Sequence, residues 1–272
     1  MSTPQFPPPN KRLGQNFLID PNIVRKIVSL AELGPSDHVL EIGPGRGFLT
    51  VALCHAAARV TAIEVDPRLN VYLKDRQEEL PNVELVCGDA LTYPVESLPR
   101  GSVVVANLPY YISTPLLFRL LDQRDRFPRM VLMLQNEVAD RLVAKSGRSD
   151  YGVLSVMAQY AAEITKAFRV SAQCFRPRPE VGSAVVLLRT REWRELSPEE
   201  EPQFAALVKA SFAHRRKTLI NSLKDEGYDQ KSVIEAFQSL NLSPTARAEV
   251  LSVSQLIALT QWIHLRHRGL EK

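Results

Sequence analysis

Between residues 38 and 190 the chain alternates short apolar, β-branched runs with helical patterns, and few folds accept that alternation. The runs "HVLEIG" (38–43), "RVTAIEVD" (59–66), "VELVCGD" (83–89), "SVVVANLP" (102–109) and "RMVLMLQ" (129–135) read as strands. The segments "GFLTVALCHA", "PRLNVYLKDRQEEL" (67–80), "TPLLFRLL" and "NEVADRLVA" (136–144) read as helices. Strands that are apolar throughout are covered on both faces, and their alternation with helices builds a mainly parallel sheet. Beyond them, "YGVLSVMAQYAAEI" (151–164) reads as helical, and "SAVVLLRT" (183–190) as a late strand expected at the sheet's end. The fold class is therefore α/β.

Punctuation in the sequence agrees with this reading. Asp20 stands before Pro21 at the start of "DPNIVRKIVSLAEL", and Asp66 before Pro67, each an N-cap followed by a proline at the first helical position. Near residue 190 the pattern changes. The stretch "REWRELSPEEEPQ" (191–203) is acidic and linker-like. After it come only helical patterns: "FAALVKASFAHRRKTLINSLK" (204–224), "KSVIEAFQSL" and "SVSQLIALTQWIHLRH". The expected division is a flexible, Pro-rich lead-in over 1–19, a sheet-bearing domain over 20–190 and a small all-helical C-terminal domain over 191–272.

Of 272 residues, 45% are hydrophobic and 24% charged, enough to bury a sizeable core. No apolar run reaches the roughly 18 residues of a membrane helix. The N-terminus "MSTPQFPPPNKR" has no apolar stretch after its charges, so no secretory signal is expected. Cys54, Cys87 and Cys174 are odd in number and far apart, which fits unpaired thiols in a reducing cytoplasm and supplies no metal spacing. The net charge of +4 excludes little, but its distribution is uneven. The segment 209–217 holds Lys209, Arg215, Arg216 and Lys217 without an acid, and 165–179 holds Lys166, Arg169, Arg176 and Arg178 without one. Such clusters suit a phosphate backbone, or are simply solvated faces.

Three strand ends carry what a nucleoside needs. In "VLEIGPGRGFLT" (39–50), Gly43 and Gly45 let the backbone turn sharply and approach a ligand closely. The spacing is GxGxG rather than GxGxxG, which disfavours a pyrophosphate. Glu64 ends the next strand, where a carboxylate can accept both hydroxyls of a ribose. Asp89, in "GDA", ends the third strand; it can take an exocyclic adenine amine, or cap a turn. On the following strand end stands "NLPY", Asn107 to Tyr110. The Asn107 amide oxygen and the Leu108 carbonyl can each accept one N–H of an exocyclic amine, favouring a tetrahedral nitrogen with an available lone pair. Pro109 stiffens the turn, and Tyr110 can stack on the base.

"NLPY" resembles the [DN]PP[YF] motif of amino-methyltransferases. Read with its neighbours, the whole chain resembles the ribosomal RNA adenine N6,N6-dimethyltransferase family. The stretches that carry the resemblance are "KRLGQNFLID" (11–20), "EIGPGRGFLT", "EVD", "GDAL", "NLPYYIST", "MLQNEVADRL" (133–142) and "YGVLSV" (151–156). "FRPRPEVGSAVV" (175–186) and "SFAHRRKTLINSL" (211–223) are the least generic of them.

The resemblance implies a Rossmann-like, S-adenosylmethionine-dependent methyltransferase domain. It implies S-adenosyl-L-methionine as cofactor, with no metal, and as substrate two adjacent adenosines in a hairpin loop near the 3′ end of small-subunit rRNA. Asn16, Leu18, Gly43, Gly45, Glu64, Asp89 and Asn107 are expected at the cofactor. Asn107, Leu108, Pro109 and Tyr110 are expected at the target amine, Phe175 on the flipped base from the other side, and Arg215, Arg216 and Lys217 on RNA. A cytoplasmic monomer acting on a pre-ribosomal particle, with no membrane partner, is expected. Tyr111, Glu180 and Gly182 depart from the family pattern, where Asn, Lys and Asp are usual. The alternatives are a macrolide-resistance methyltransferase of large-subunit rRNA, a non-catalytic RNA-binding assembly factor and an NAD-dependent oxidoreductase.

Overall fold

The computed structural model describes residues 6–270, without the side chains of 265–270, and the chain divides into two compact units. One takes the chain up to Ala139 together with Ala162–Thr190; the other takes Asp140–Ala161 and the chain from Arg191 on.

The first unit is built on a seven-stranded sheet. Strands β2 (His38–Ile42), β3 (Arg59–Glu64), β4 (Val83–Cys87), β5 (Val103–Asn107) and β6 (Arg129–Gln135) pair in parallel. The order across the sheet is β4-β3-β2-β5-β6-β9-β7, with β7 (Ala162–Val170) and β9 (Ser183–Thr190) completing it. The chain winds outward from β2 to β4, then returns to the other side of β2 for β5 and β6. The reversal leaves a crevice between β2 and β5 at the carboxyl edge, where open α/β sheets receive ligands. In register, Ile42 lies beside both Ile63 and Ala106, and Glu64 beside Cys87. The loops that follow β2 to β5 therefore emerge along one edge.

Helices α1 (Pro21–Leu30) and α2 (Phe48–Ala56) bury Val24, Ile27, Leu49 and Leu53 in one cluster with Val39, Val60, Val105 and Val131 of the sheet. Asp20 caps α1 by accepting the Asn22 N–H at 2.8 Å, and Asp66 caps α3 (Pro67–Lys74) by accepting the Arg68 N–H at 3.0 Å. The expected helix over 67–80 stops at Lys74 and ends in a 3-10 turn at Gln77–Glu79. Helix α4 (Ser113–Asp122) connects β5 to β6, and α5 (Asn136–Val143) follows β6.

The late strand does not lie at the sheet's end. β9 runs antiparallel between β6 and β7, and β7 forms the edge. Outside this sheet, β1 (Phe17–Leu18) pairs antiparallel with β8 (Phe175–Arg176).

The second unit contains α6 (Val153–Ala161), α7 (Glu200–Phe212), α8 (Leu219–Asp225), α9 (Gln230–Ser239) and α10 (Val253–Leu270). Residues 140–161, placed by sequence within 20–190, belong here because Val156 and Tyr160 of α6 pack in one core with Phe204, Leu207 and Leu223. The expected continuous helix over 204–224 is broken into α7 and α8, and Thr218 caps the second piece through the Asn221 N–H. Among the described residues, no helix is long and apolar enough to cross a membrane.

Candidate active site

A cleft opens at the carboxyl edge between β2 and β5. Its floor is the turn after β2. Gly45 has φ +59°, in the left-handed region, and a Cβ added there would lie 2.9 Å from Cδ1 of Phe17. The close approach explains why a glycine stands at this position. The Gly45 N–H donates to Glu64 Oε2 at 3.0 Å, and the Asp66 N–H donates to Oε1 at 2.9 Å. Glu64 is thus fixed at the end of β3, only 4% exposed, with each oxygen keeping acceptor capacity for a ligand. Burial raises its carboxyl above the ordinary range, and the two N–H groups offset part of that. Asp66 is held down to about 2, chiefly by the Arg68 side chain, whose Nη2 lies 2.7 Å from Oδ2.

Asp89, after β4, lines the same cleft and caps the turn that follows it. Its Oδ1 accepts the Leu91 N–H at 2.8 Å, which leaves Oδ2 for a ligand. Val65, 39% exposed, and Ala90 add apolar surface to the same cleft.

The N-terminal segment forms a wall of the cleft. Residues 1–5 of the expected flexible lead-in lie outside the described residues; the Phe6 ring lies against Phe48 and Tyr72, and the chain is first buried at Phe17. Gln15 donates from Nε2 to Asp66 Oδ2 at 3.0 Å and accepts the Asn10 N–H at 2.7 Å. The Arg46 guanidinium lies over the rings of both Phe6 and Phe17, 4.6 and 4.4 Å from their centroids. Leu13, Gln15, Asn16 and Phe17 face the cleft. Leu18, expected at the cofactor, does not line it; at 5% exposure it packs into the core beside Val24 and Ile27.

Asn107 ends β5. Its Nδ2 donates to the Asn16 carbonyl in a long 3.4 Å contact, which directs Oδ1 away from that carbonyl as a free acceptor. The Leu108 N–H donates to the Met133 carbonyl at 3.1 Å, tying the turn to β6. Pro109 is extended, with φ −58° and ψ 129°, as a stiffened turn requires. The Tyr110 hydroxyl shares a 2.7 Å hydrogen bond with the Ser183 hydroxyl, and burial raises its phenol above the ordinary value. Tyr111, 50% exposed, stands on the rim, where a Cβ on Gly14 would lie 3.8 Å from its Cδ1. Burial raises the Tyr111 phenol, and the charges of Asp89 and Glu64 raise it further.

Of the residues expected from sequence, Asn16, Gly43, Gly45, Glu64, Asp89 and Asn107 to Tyr110 all line this one cleft. Phe175 does not. Its ring is 0% exposed in the core with Leu18, because β8 zips against β1, so it presents no face to a base. Arg215, Arg216 and Lys217 lie in the second unit, in the loop between α7 and α8. Arg215 donates to the Ser149 carbonyl at 2.7 Å and Lys217 pairs with Asp225, while Arg216 is exposed. Sequence reasoning missed Leu13, Gln15, Phe17 and Val65. The signals available were the stretch "KRLGQNFLID" for the first three and the apolar residue between the two acids of "EVD" for Val65. Among the described residues, no cluster of three or more His, Cys, Asp or Glu could hold a metal ion.

The chain matches the family model described as ribosomal RNA adenine dimethylase over residues 8–265. It is 42% identical over 264 residues to the Ribosomal RNA small subunit methyltransferase A of Moorella thermoacetica, covering 93% of this chain and 92% of that protein. The protein of the same name from Geobacter metallireducens is 42% identical over 258 residues, covering 92% and 94%. The crystal structure of a dimethyladenosine transferase from Plasmodium falciparum superposes with a TM-score of 0.80 at 30% identity, over 93% of this chain and 98% of that one. That of the 23S rRNA methyltransferase ErmE superposes with a TM-score of 0.72 at 28% identity, over 92% and 100%. Cleft, sheet order and whole-length similarity agree: this chain belongs to the ribosomal RNA adenine dimethylase family.

Proposed function

We propose that the chain transfers methyl groups from S-adenosyl-L-methionine to N6 of two adjacent adenosines in a hairpin loop near the 3′ end of small-subunit rRNA. It acts as a monomer, in the cytoplasm, on a pre-ribosomal particle. The observation that carries this reading is the convergence, in one cleft, of the Gly45–Glu64 cradle and the Asn107–Tyr110 turn.

The cleft fits the cofactor. The Gly45 turn lies against a buried carboxylate whose oxygens keep acceptor capacity, as a ribose requires. Glu64 would take the ribose hydroxyls, Asp89 the adenine amine, and Asn16 with the glycine turn the remaining polar end. When bound, S-adenosylmethionine supplies an electrophilic sulfonium methyl and departs as a neutral thioether, so no general acid is required.

The chain's own contribution is to hold the amine. Oδ1 of Asn107 and the carbonyl of Leu108 each accept one N–H, which withdraws the nitrogen lone pair from the purine ring. Asn107 stays neutral and needs no cationic partner. Tyr110 gives the extruded base a stacking surface, and walls formed by Phe17 and Leu108 exclude water. A loop adenosine costs less to extrude than a paired one. After one transfer a single N–H remains, so the second turnover leaves one acceptor idle. The surplus proton leaves to solvent. Arg215, Arg216 and Lys217 contact the RNA backbone.

The test is mass spectrometry of undermethylated small and large subunits after incubation with isotope-labelled S-adenosylmethionine. Label as dimethyladenosine in small-subunit RNA alone is expected. Label in large-subunit RNA alone would establish the macrolide-resistance type of activity, and no label in either a non-catalytic module.

A further inference from the structure

We propose that Ser183 is a positioning residue for the target base, holding the Tyr110 ring at a fixed tilt through the hydrogen bond between their hydroxyls. The proposal rests on the reading of Tyr110 as the surface on which the adenine stacks.

Tyr110 sits in a three-residue 3-10 turn, and within it an aromatic ring can turn about its two side-chain torsions. The described residues give its hydroxyl one hydrogen-bonding partner, Ser183, at 2.7 Å. That partner is rigid. Ser183 is the first residue of β9, paired on one side with Gln135 of β6 and on the other with Val170 of β7. It is 1% exposed.

The topology explains how it arrives there. Were β9 parallel to β6, its first residue would lie at the amino edge of the sheet, far from the cleft. Because β9 runs antiparallel, its first residue lies at the carboxyl edge, level with the end of β6. The strand's one departure from the doubly wound pattern thus delivers a hydroxyl to the target-amine turn.

Composition supports the same conclusion. In "SAVVLL" the serine is the single polar residue of a buried run. A buried hydroxyl without a partner is destabilising, and Tyr110 is the partner that offsets that cost.

The experiment uses the full chain with undermethylated small subunits and compares Ser183→Ala, Tyr110→Phe, the double variant, Ser183→Thr and Tyr110→Ala. Ser183→Ala and Tyr110→Phe should each lower kcat/KM about fivefold to tenfold, the effect of one lost hydrogen bond. Cofactor affinity by calorimetry should be unchanged in both. The double variant should be no worse than either single one, because both remove the same bond. Ser183→Thr, which keeps the hydroxyl, should retain activity. Losses that multiply in the double variant overturn the proposal, as does wild-type kcat/KM in Ser183→Ala or Tyr110→Phe. If Ser183→Ala does not fold, Tyr110→Phe decides alone. Tyr110→Ala separates the two readings. If it is inactive while Ser183→Ala is normal, stacking stands and positioning fails; if it is fully active, the stacking reading itself falls.

Discussion

The Asn107 amide turns its nitrogen to the Asn16 carbonyl, which leaves its oxygen as an acceptor for the proposed target amine. Replacing it with Ala should lower kcat by about 10²-fold or more, the scale of a lost alignment, with the fold intact by circular dichroism. Asn107→Asp, which keeps an oxygen acceptor, should retain more activity than the Ala variant in the same assay. Glu41, the penultimate residue of β2, is of another kind. It is 1% exposed, its Oε2 has no hydrogen-bond partner, and its carboxyl is raised to about 8. Burial is the main cause, the Thr50 hydroxyl offsets part of it, and the charge of Glu64 adds to it. Below pH 4.5 folded and unfolded chains both hold this proton; from 4.5 to about 8 only the folded chain does. Stability should therefore fall as pH rises through that interval, by roughly 1.4 kcal/mol per unit from this group. Urea midpoints followed across the interval should show that slope, and Glu41→Gln should flatten it. Glu64 and Asp89 were legible in the sequence because one closes an apolar strand run and the other follows the next run by a single glycine. Phe175 was not, because the destination of its ring depends on a strand pairing with residues near the other end of the chain.

Among the elements, the turn from β2 into α2 carries the most constraint. Gly45→Ala places a side chain in the left-handed region and against Phe17. That strain is worth roughly 1–2 kcal/mol before the clash is counted, so the variant should unfold a few degrees lower by calorimetry. It should also bind S-adenosylhomocysteine more weakly, because Gly45 seats Glu64. The parallel strands were readable as apolar runs framed by turn residues. β7 was not. α6 passes into it at Ala161–Ala162 with no turn between, and its solvent-facing positions Glu163, Thr165 and Arg169 give a polar alternation that resembles a basic loop. Missing β7 put β9 at the sheet's end. The break between α7 and α8 was hidden for a similar reason, since "AHRRK" contains neither Gly nor Pro.

For the molecule as a whole, the change of pattern near residue 190 suggested a helical part after the sheet-bearing one, and the two compact units divide the chain with residues 140–161 in the second. Residues 140–161 carry a helical pattern that fits either unit, and only the packing of α6 with Phe204 and Leu223 decides. The RNA contacts proposed for the second unit have an electrostatic consequence. Changing Arg215, Arg216 and Lys217 together to Ala should weaken RNA binding and reduce the slope of log K against log salt by about 1–2. The reduction should fall short of three charges, because Lys217 already pairs with Asp225. An unchanged slope in filter-binding titrations would make the cluster solvated surface.

The pairing of Phe17 with Arg176 and of Leu18 with Phe175 has a consequence for biosynthesis. The wall nearest the N-terminus leaves the ribosome first, yet the strand that seats it emerges only after most of the sheet has been made. A nascent chain halted short of Phe175 holds the glycine turn and Glu64 without the surface that closes over them. Ligand-assisted stabilisation is thus expected only once about two thirds of the chain has been made.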